Sequence, residues 1–307
     1  MTSGPGPTQR RTPDRRTPLL ATAALLAITA CWGSTFFLIK DLLDRVPVLD
    51  FLAVRFAIAG AALWLLFPRA LGRLTRPSLR HAVVLGLLYG VAQILQSAGL
   101  AHTPASVSGF ITGLYVVCTP LFAALLLRTR ITAMTWGAVA LAMLGLGVLT
   151  VSGFSVGFGE AITFVAALLY ALHIVGLGAW SDVRQVMGMT IVQLMAITAL
   201  CLSVTVWDGI ALPGTGRDWL SVGYMAVMAG ALALAGQTWA QAHLAPTRTA
   251  IIMSMEPVFA ALFAVLLGGE TATVRMLVGG LMVLTAMLLV ELAPRRRIEA
   301  EVPHIAV

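Results

Sequence analysis

Apolar residues run through this sequence in long blocks, separated by short clusters of arginine, proline, glycine and acidic residues. A helix needs about 20 mostly apolar residues to cross a hydrocarbon core of roughly 30 Å. Ten blocks approach that length: 19–39, 51–67, 82–100, 105–127, 131–151, 161–180, 189–206, 219–242, 249–267 and 276–292. Runs such as 121–127 do not alternate, whereas the strands of a membrane barrel alternate polar and apolar over roughly ten residues. The pattern predicts an all-α polytopic membrane protein with ten transmembrane helices.

Composition supports this solvent choice: 59% of the chain is hydrophobic and only 11% is charged, against about 25% charged for a soluble domain. Basic residues in short loops stay on the cytoplasmic side. Taken alternately, the loops place fifteen basic residues on one side (Arg10, Arg11, Arg15, Arg16, Arg69, Arg73, Arg76, Arg80, Arg128, Arg130, Arg184, Arg248 and Arg295 to Arg297) and four on the other, Lys40, Arg45, Arg217 and Arg275. Both termini are therefore expected in the cytoplasm of a plasma-membrane protein. The net charge of +7 then reflects anionic lipid headgroups along one face, with no nucleic-acid partner. Trp64, Trp136, Trp180, Trp207 and Trp219 fall near span ends, as an interfacial belt requires. Twin arginines before the first block imitate an export signal, but the block continues to Ile39 and nine more follow, unlike a cleaved signal. Cys31, Cys118 and Cys201 all lie within blocks and form neither a disulfide framework nor a metal-ligand pattern.

The chain also repeats. The run PLFAAL from Pro120 recurs as PVFAAL from Pro257, in the fourth and ninth blocks. Five helices make each copy, and since five is odd the second copy runs upside down relative to the first. The expected organisation is a tail at 1–17, one five-helix repeat at 18–152, a second at 158–293 and a tail at 294–307. Inverted halves can open a site between them first to one side and then to the other, and paired helix interruptions mark that site. Pro120 and Pro257 are such a pair, each lacking the N–H that a helix interior needs; they mark either a ligand-facing break or a structural kink.

Trp32-Gly33-Ser34, Arg55, the segment AHTPAS at 101–106, Pro120, Gly159-Glu160, the segment ALH ending at His173, Glu256-Pro257 and Gly268-Gly269-Glu270 together resemble the drug/metabolite transporter superfamily in its EamA-type branch. That resemblance covers roughly residues 18–293. It implies a ten-helix, two-repeat carrier of small metabolites, usually an exporter of amino acids or related solutes. The halves differ at two places: Thr119 stands where the second has Glu256, and Arg128 to Arg130 stand near its Gly-Gly-Glu.

Ionisable groups within a bilayer are costly and mark function or pairing. Glu256, in the ninth block just before Pro257, can bind a substrate amine, carry a proton or pair structurally. Arg55, four residues into the second block and so about 6 Å deep, either snorkels to water or grips a carboxylate with two parallel hydrogen bonds. His173 is a second proton-coupling candidate, since an unperturbed histidine titrates near about 6.5; Tyr170 precedes it by one turn. Gln93 and Gln96 in the third block, with Gln237 and Gln241 in the eighth, hydrogen-bond between helices or line a polar cavity. Trp32 and Tyr115 are candidate walls. The predicted substrate-binding set is Trp32, Arg55, Gln93, Gln96, Tyr115, Tyr170, His173, Gln237 and Glu256. Gly109 and Gly113 form a GxxxG, expected to mark close helix approach. Glu160, Glu270 and Glu291 fall at block edges.

An enzyme is not expected: no metal-protease helix signature is present and no block contains an aspartate pair. No nucleotide-binding loop and no filter-like repeat occur either. The expected function is secondary transport of a small molecule by alternating access, probing either amino acids or lipophilic cations, with a non-transporting membrane scaffold as the rival class. The expectation includes no cofactor and no metal, a membrane-lipid partner, proton coupling through Glu256 or His173, and room for a homodimer.

Overall fold

The structure, a computed structural model, describes residues 16–103, 105–150, 157–207, 209–267 and 272–292. Among these the regular elements are helical, with no strand. In chain order they are α1 (Arg16–Gly33), α2 (Thr35–Leu43), α3 (Val48–Leu66), α4 (Arg76–His102), α5 (Ala105–Gly113), α6 (Tyr115–Leu127), α7 (Ala133–Thr150), α8 (Phe158–Trp180), α9 (Val186–Thr205), α10 (Gly216–Ala226), α11 (Ala233–Gln241), α12 (Pro246–Met253), α13 (Glu256–Leu267) and α14 (Val274–Leu292). Local chemistry sets several starts. Thr75 accepts from the Ser78 N–H to cap α4, and Thr215 accepts from the Asp218 N–H to cap α10, which satisfies donors a helix start leaves free.

Seven helical segments are long and apolar enough to cross a membrane, and three shorter apolar stretches, Ile111–Leu127, Ala133–Gly145 and Leu277–Leu289, occupy the other predicted positions. The first span is α1 with α2, the fourth α5 with α6, the eighth α10 with α11, and the ninth α12 with α13. Large apolar side chains such as Leu65, Leu125 and Leu220 are 75–77% exposed, so the outward faces are lipid faces. Trp64, Trp136, Trp180, Trp207 and Trp219 are exposed as well.

Packing follows a two-fold pattern. The second span lies on the seventh (α3 on α9) and the fifth on the tenth (α7 on α14). The third packs on the sixth (α4 on α8), matched by the eighth on the first (α11 on α1); the fourth packs on the sixth (α6 on α8), matched by the ninth on the first (α13 on α1). One continuous apolar core runs through both halves. Close approach occurs at Gly99 of α4, where an added Cβ would sit 2.8 Å from the Gly159 carbonyl of α8. Of the GxxxG pair, an added Cβ on Gly109 would meet, among the described residues, only the Phe36 ring, at 4.0 Å, so no close helix approach is seen there.

Both repeat-related spans are broken, at different distances from their prolines. In the fourth, the chain turns at Leu114, whose N–H donates to the Ile111 carbonyl at 3.1 Å, and Pro120 lies inside α6. In the ninth, the turn is at Ser254 and Met255, immediately before Glu256 and Pro257. Pro257 thus opens a helix, where its missing N–H costs nothing. The eighth span carries a π-helical stretch, Val227–Leu232, between α10 and α11. Residues 1–15, 151–156 and 293–307 and the segment Gly268-Gly269-Glu270 lie outside the described residues, while Arg16 and Thr17, expected in the first tail, begin α1; Glu160 caps its own helix start by accepting from the Gly157 N–H at 3.0 Å.

Candidate functional site

A cavity with about 50 Å³ of enclosed room, or about 620 Å³ of atom-free space when the open solvent around it is included, lies between the halves. The first half gives Trp32, Thr35, Phe36 and Ile39 from the first span and Arg55 from α3. From α4 come Tyr89, Gln93, Gln96, Ser97 and Leu100, and from the broken fourth span Thr112 and Tyr115. The second half gives Tyr170, Ile174, Gln237, Met253 and Glu256. Tyr115 is the first residue of α6 and Glu256 the first of α13, so both interrupted spans restart at the cavity wall. This is the placement that paired discontinuous helices give a carrier site.

A polar chain crosses the wall. The Gln93 Nε2 group donates to the Tyr170 hydroxyl at 2.7 Å and to the Tyr89 hydroxyl at 3.2 Å. Tyr170 donates to Gln96 Oε1 at 2.7 Å, and Gln96 Nε2 donates to Thr112 Oγ1 at 3.1 Å. Gln237 Nε2 donates to Gln241 Oε1 at 3.1 Å, while Gln237 Oε1 and the Tyr115 hydroxyl are buried with no partner among the described residues. Gln241 itself donates to the Ile174 carbonyl and does not line the cavity. Trp32 Nε1 donates to the Ala229 carbonyl in the π-helical stretch at 2.8 Å.

Two ionisable side chains face this space. Arg55 is 2% exposed; its Nε donates to the Met225 carbonyl at 3.2 Å, and its guanidinium lies 5.0 Å from the Phe56 ring centre. The snorkelling reading is thereby corrected. Helix α3 begins at Val48, seven residues before Arg55, which places the side chain about 10 Å along the helix. Glu256 is 9% exposed. Neither has an ion-pair partner among the described residues, and a charge held in a membrane without one costs several kcal/mol, about 3 by insertion scales. A buried guanidinium with free Nη groups fits a carboxylate, and a buried carboxylate fits an amine.

His173 is not on the cavity wall. Its Nε2 meets Gln193 Oε1 at 2.9 Å and its ring lies 5.0 Å from the Tyr89 ring, so it packs behind the wall against α9. Helical phase explains the correction. Tyr170 and Ile174, four apart, share the cavity face, and residue 173 is turned about 100° from 174. Conversely, the sequence reading passed over Tyr89, although it stands one turn before Gln93 on the same face.

Two contacts cross between the halves at one membrane face. Arg45 Nη2 bonds Asp218 at 2.8 Å and Asp41 at 2.7 Å, and these hydrogen bonds, Asp41's first, hold the Arg45 guanidinium above its ordinary pKa range. Asp50 Oδ2 accepts from the Ala211 N–H at 3.0 Å. Within the first half, on the same face, Lys40 Nζ donates to the Thr103 carbonyl at 3.2 Å.

The EamA-like transporter family matches this chain over residues 19–151 and 157–292. An uncharacterized transporter of Archaeoglobus fulgidus is 28% identical over 275 residues, covering 89% of this chain and 86% of its own. The uncharacterized inner membrane transporter YedA of Escherichia coli K12 is 25% identical over 256 residues, 81% of this chain and 83% of its own. The pseudopaline exporter CntI of Pseudomonas aeruginosa is 25% identical over 281 residues, 87% of this chain and 95% of its own. A crystal structure shares the fold with a TM-score of 0.74 at 18% identity, over 92% of this chain and 99% of that one.

Proposed function

Because the chain belongs to the EamA-like transporter family, it is a multi-pass membrane transporter, and we propose that it exports a small zwitterion, an amino acid or related solute, by alternating access. The observation that carries this is the presence of Arg55 and Glu256, neither with an ion-pair partner among the described residues, in one cavity between inverted halves. Arg55 holds the substrate carboxylate and Glu256 its amine, while Gln93, Gln96 and Gln237 orient it and Trp32, Tyr115 and Tyr170 wall it in. The similarity to CntI, named an exporter, supports the outward direction. The arginine distribution supports cytoplasmic termini in a plasma membrane.

Counterflow with the purified chain in liposomes, comparing labelled amino acids with cationic dyes at two lumenal pH values, tests the reading. Exchange of amino acids is expected. In Glu256→Gln it should fall about 10- to 150-fold, the range of one charged hydrogen bond. Unaltered exchange with unaltered pH dependence removes Glu256 from the mechanism. Exchange of dyes alone replaces the zwitterion with a lipophilic cation, and no exchange of any solute favours a scaffold.

A further inference from the structure

At the membrane face opposite the Arg45–Asp218 tie lies a second cleft, about 1120 Å³ with its open mouth. Its walls are the α3–α4 loop of the first half, the α8–α9 turn of the second, and Trp239 of α11. Arg69, Arg73 and Arg184 line it and no carboxylate does. None of the three guanidinium groups has a partner among the described residues. Asp182, two residues before Arg184, is already engaged by the Arg184 N–H at 2.9 Å and by Gln185 Nε2 at 3.2 Å.

The inner wall is the first turn of α9, including Gly188. A Cβ on Gly188 would lie 2.7 Å from the Ala70 carbonyl, so glycine lets the loop and helix meet. Gln185 gives α9 no side-chain cap; its Oε1 accepts from the Thr75 N–H at 3.1 Å and fastens turn to loop. The cleft's lipid-side lip is apolar, with Leu66 and Phe67 70% and 44% exposed.

Guanidinium groups bind phosphate oxygens in parallel pairs, and basic recesses beside transmembrane helices suit anionic headgroups. We propose that this cleft binds the phosphate-bearing headgroup of an anionic phospholipid, with its acyl chains against Leu66 and Phe67. The general arginine bias of a membrane face explains charge in loops. It does not explain three cations converging on one recess whose lip continues into the lipid surface. Since the loop and the turn belong to different halves, a bound headgroup bridges them, independently of which solute the central cavity carries.

The test is native mass spectrometry of the delipidated full chain, titrated with phosphatidylglycerol, with phosphatidylcholine, or with inorganic phosphate. Phosphatidylglycerol should bind preferentially, on the order of 100-fold more weakly to the triple variant Arg69→Gln, Arg73→Gln, Arg184→Gln. The corresponding triple lysine variant should retain most of the affinity, and Arg184→Gln alone should lose about fivefold, which preserves the test if the triple glutamine chain does not fold. Equal weakening by Arg128→Gln with Arg130→Gln, or no preference between the lipids, overturns the site. Displacement of phosphatidylglycerol by millimolar inorganic phosphate overturns the lipid as its source and assigns the cleft to a soluble phosphate.

Discussion

Arg55 and Gln193 each lie seven residues after the start of their helices, α3 and α9, the second spans of the two halves, yet the protein treats them in opposite ways. Arg55 faces the cavity, and its Nη groups have no hydrogen-bond partner among the described residues. Gln193 is fully buried and closed onto His173 within its own half, its Nε2 donating to the Met189 carbonyl. The fourth and ninth spans repeat the contrast. Glu256 opens α13 at the cavity, whereas Thr119, its counterpart, is buried inside α6 with an unpartnered hydroxyl. The halves are alike in how helices pack and unlike in what they present. A symmetric scaffold supplies two ways to open, and an asymmetric lining gives one substrate orientation.

The strongest way to break this comparison is to import the second half's residue into the first. Arg55→Gln should lower counterflow of a carboxylate-bearing solute about 10- to 150-fold, the range for a lost charged hydrogen bond. A decarboxylated amine should lose less. Adding Gln193→Arg should not restore exchange, because residue 193 faces α8; restoration would show that the two positions are interchangeable. A smaller effect is expected at the closed position. His173→Ala leaves Gln193 without its partner and should cost about 1–3 kcal/mol in stability, seen as a lower thermal midpoint in detergent, while exchange per folded molecule is little changed. Loss of exchange without loss of stability would place His173 in the transport pathway after all. The smallest effect is expected for Thr119→Val, which removes an already unsatisfied hydroxyl at nearly constant shape. Stability and exchange should both hold, and a defect as large as that of Glu256→Gln would make the two halves chemically equivalent.

Much of this was legible before any coordinates. Span positions follow from length and hydropathy, and the recurring PLFAAL and PVFAAL runs locate the halves. Trp32, Arg55, Gln93, Gln96, Tyr115, Tyr170, Gln237 and Glu256 do meet around one cavity. Hydropathy, however, reports depth and not azimuth, so Tyr170 and His173 look equivalent although one faces the cavity and the other α9. Tyr89 was hidden because an aromatic in an apolar block resembles packing until its one-turn spacing from Gln93 is weighed. The π-helical stretch Val227–Leu232 carries no signal of its own, since its small and apolar residues fit an α-helix equally well. The basic cleft was spread over loops 66–73 and 183–188, far apart in sequence, and only the packing of α9 on α3 brings them together.

The bond from Arg55 to the Met225 carbonyl also sets a schedule. Its two ends are separated by 170 residues, and a ribosome adding about 5–20 residues per second needs roughly 10–30 s to supply the acceptor. Throughout that interval the arginine must stay in the membrane at an insertion cost of about 3 kcal/mol, with α10 not yet made. The span Val48–Leu66, whose mean hydropathy is 1.9 with the arginine counted, is apolar enough to stay in place. It holds the arginine in lipid until its partner has been synthesised.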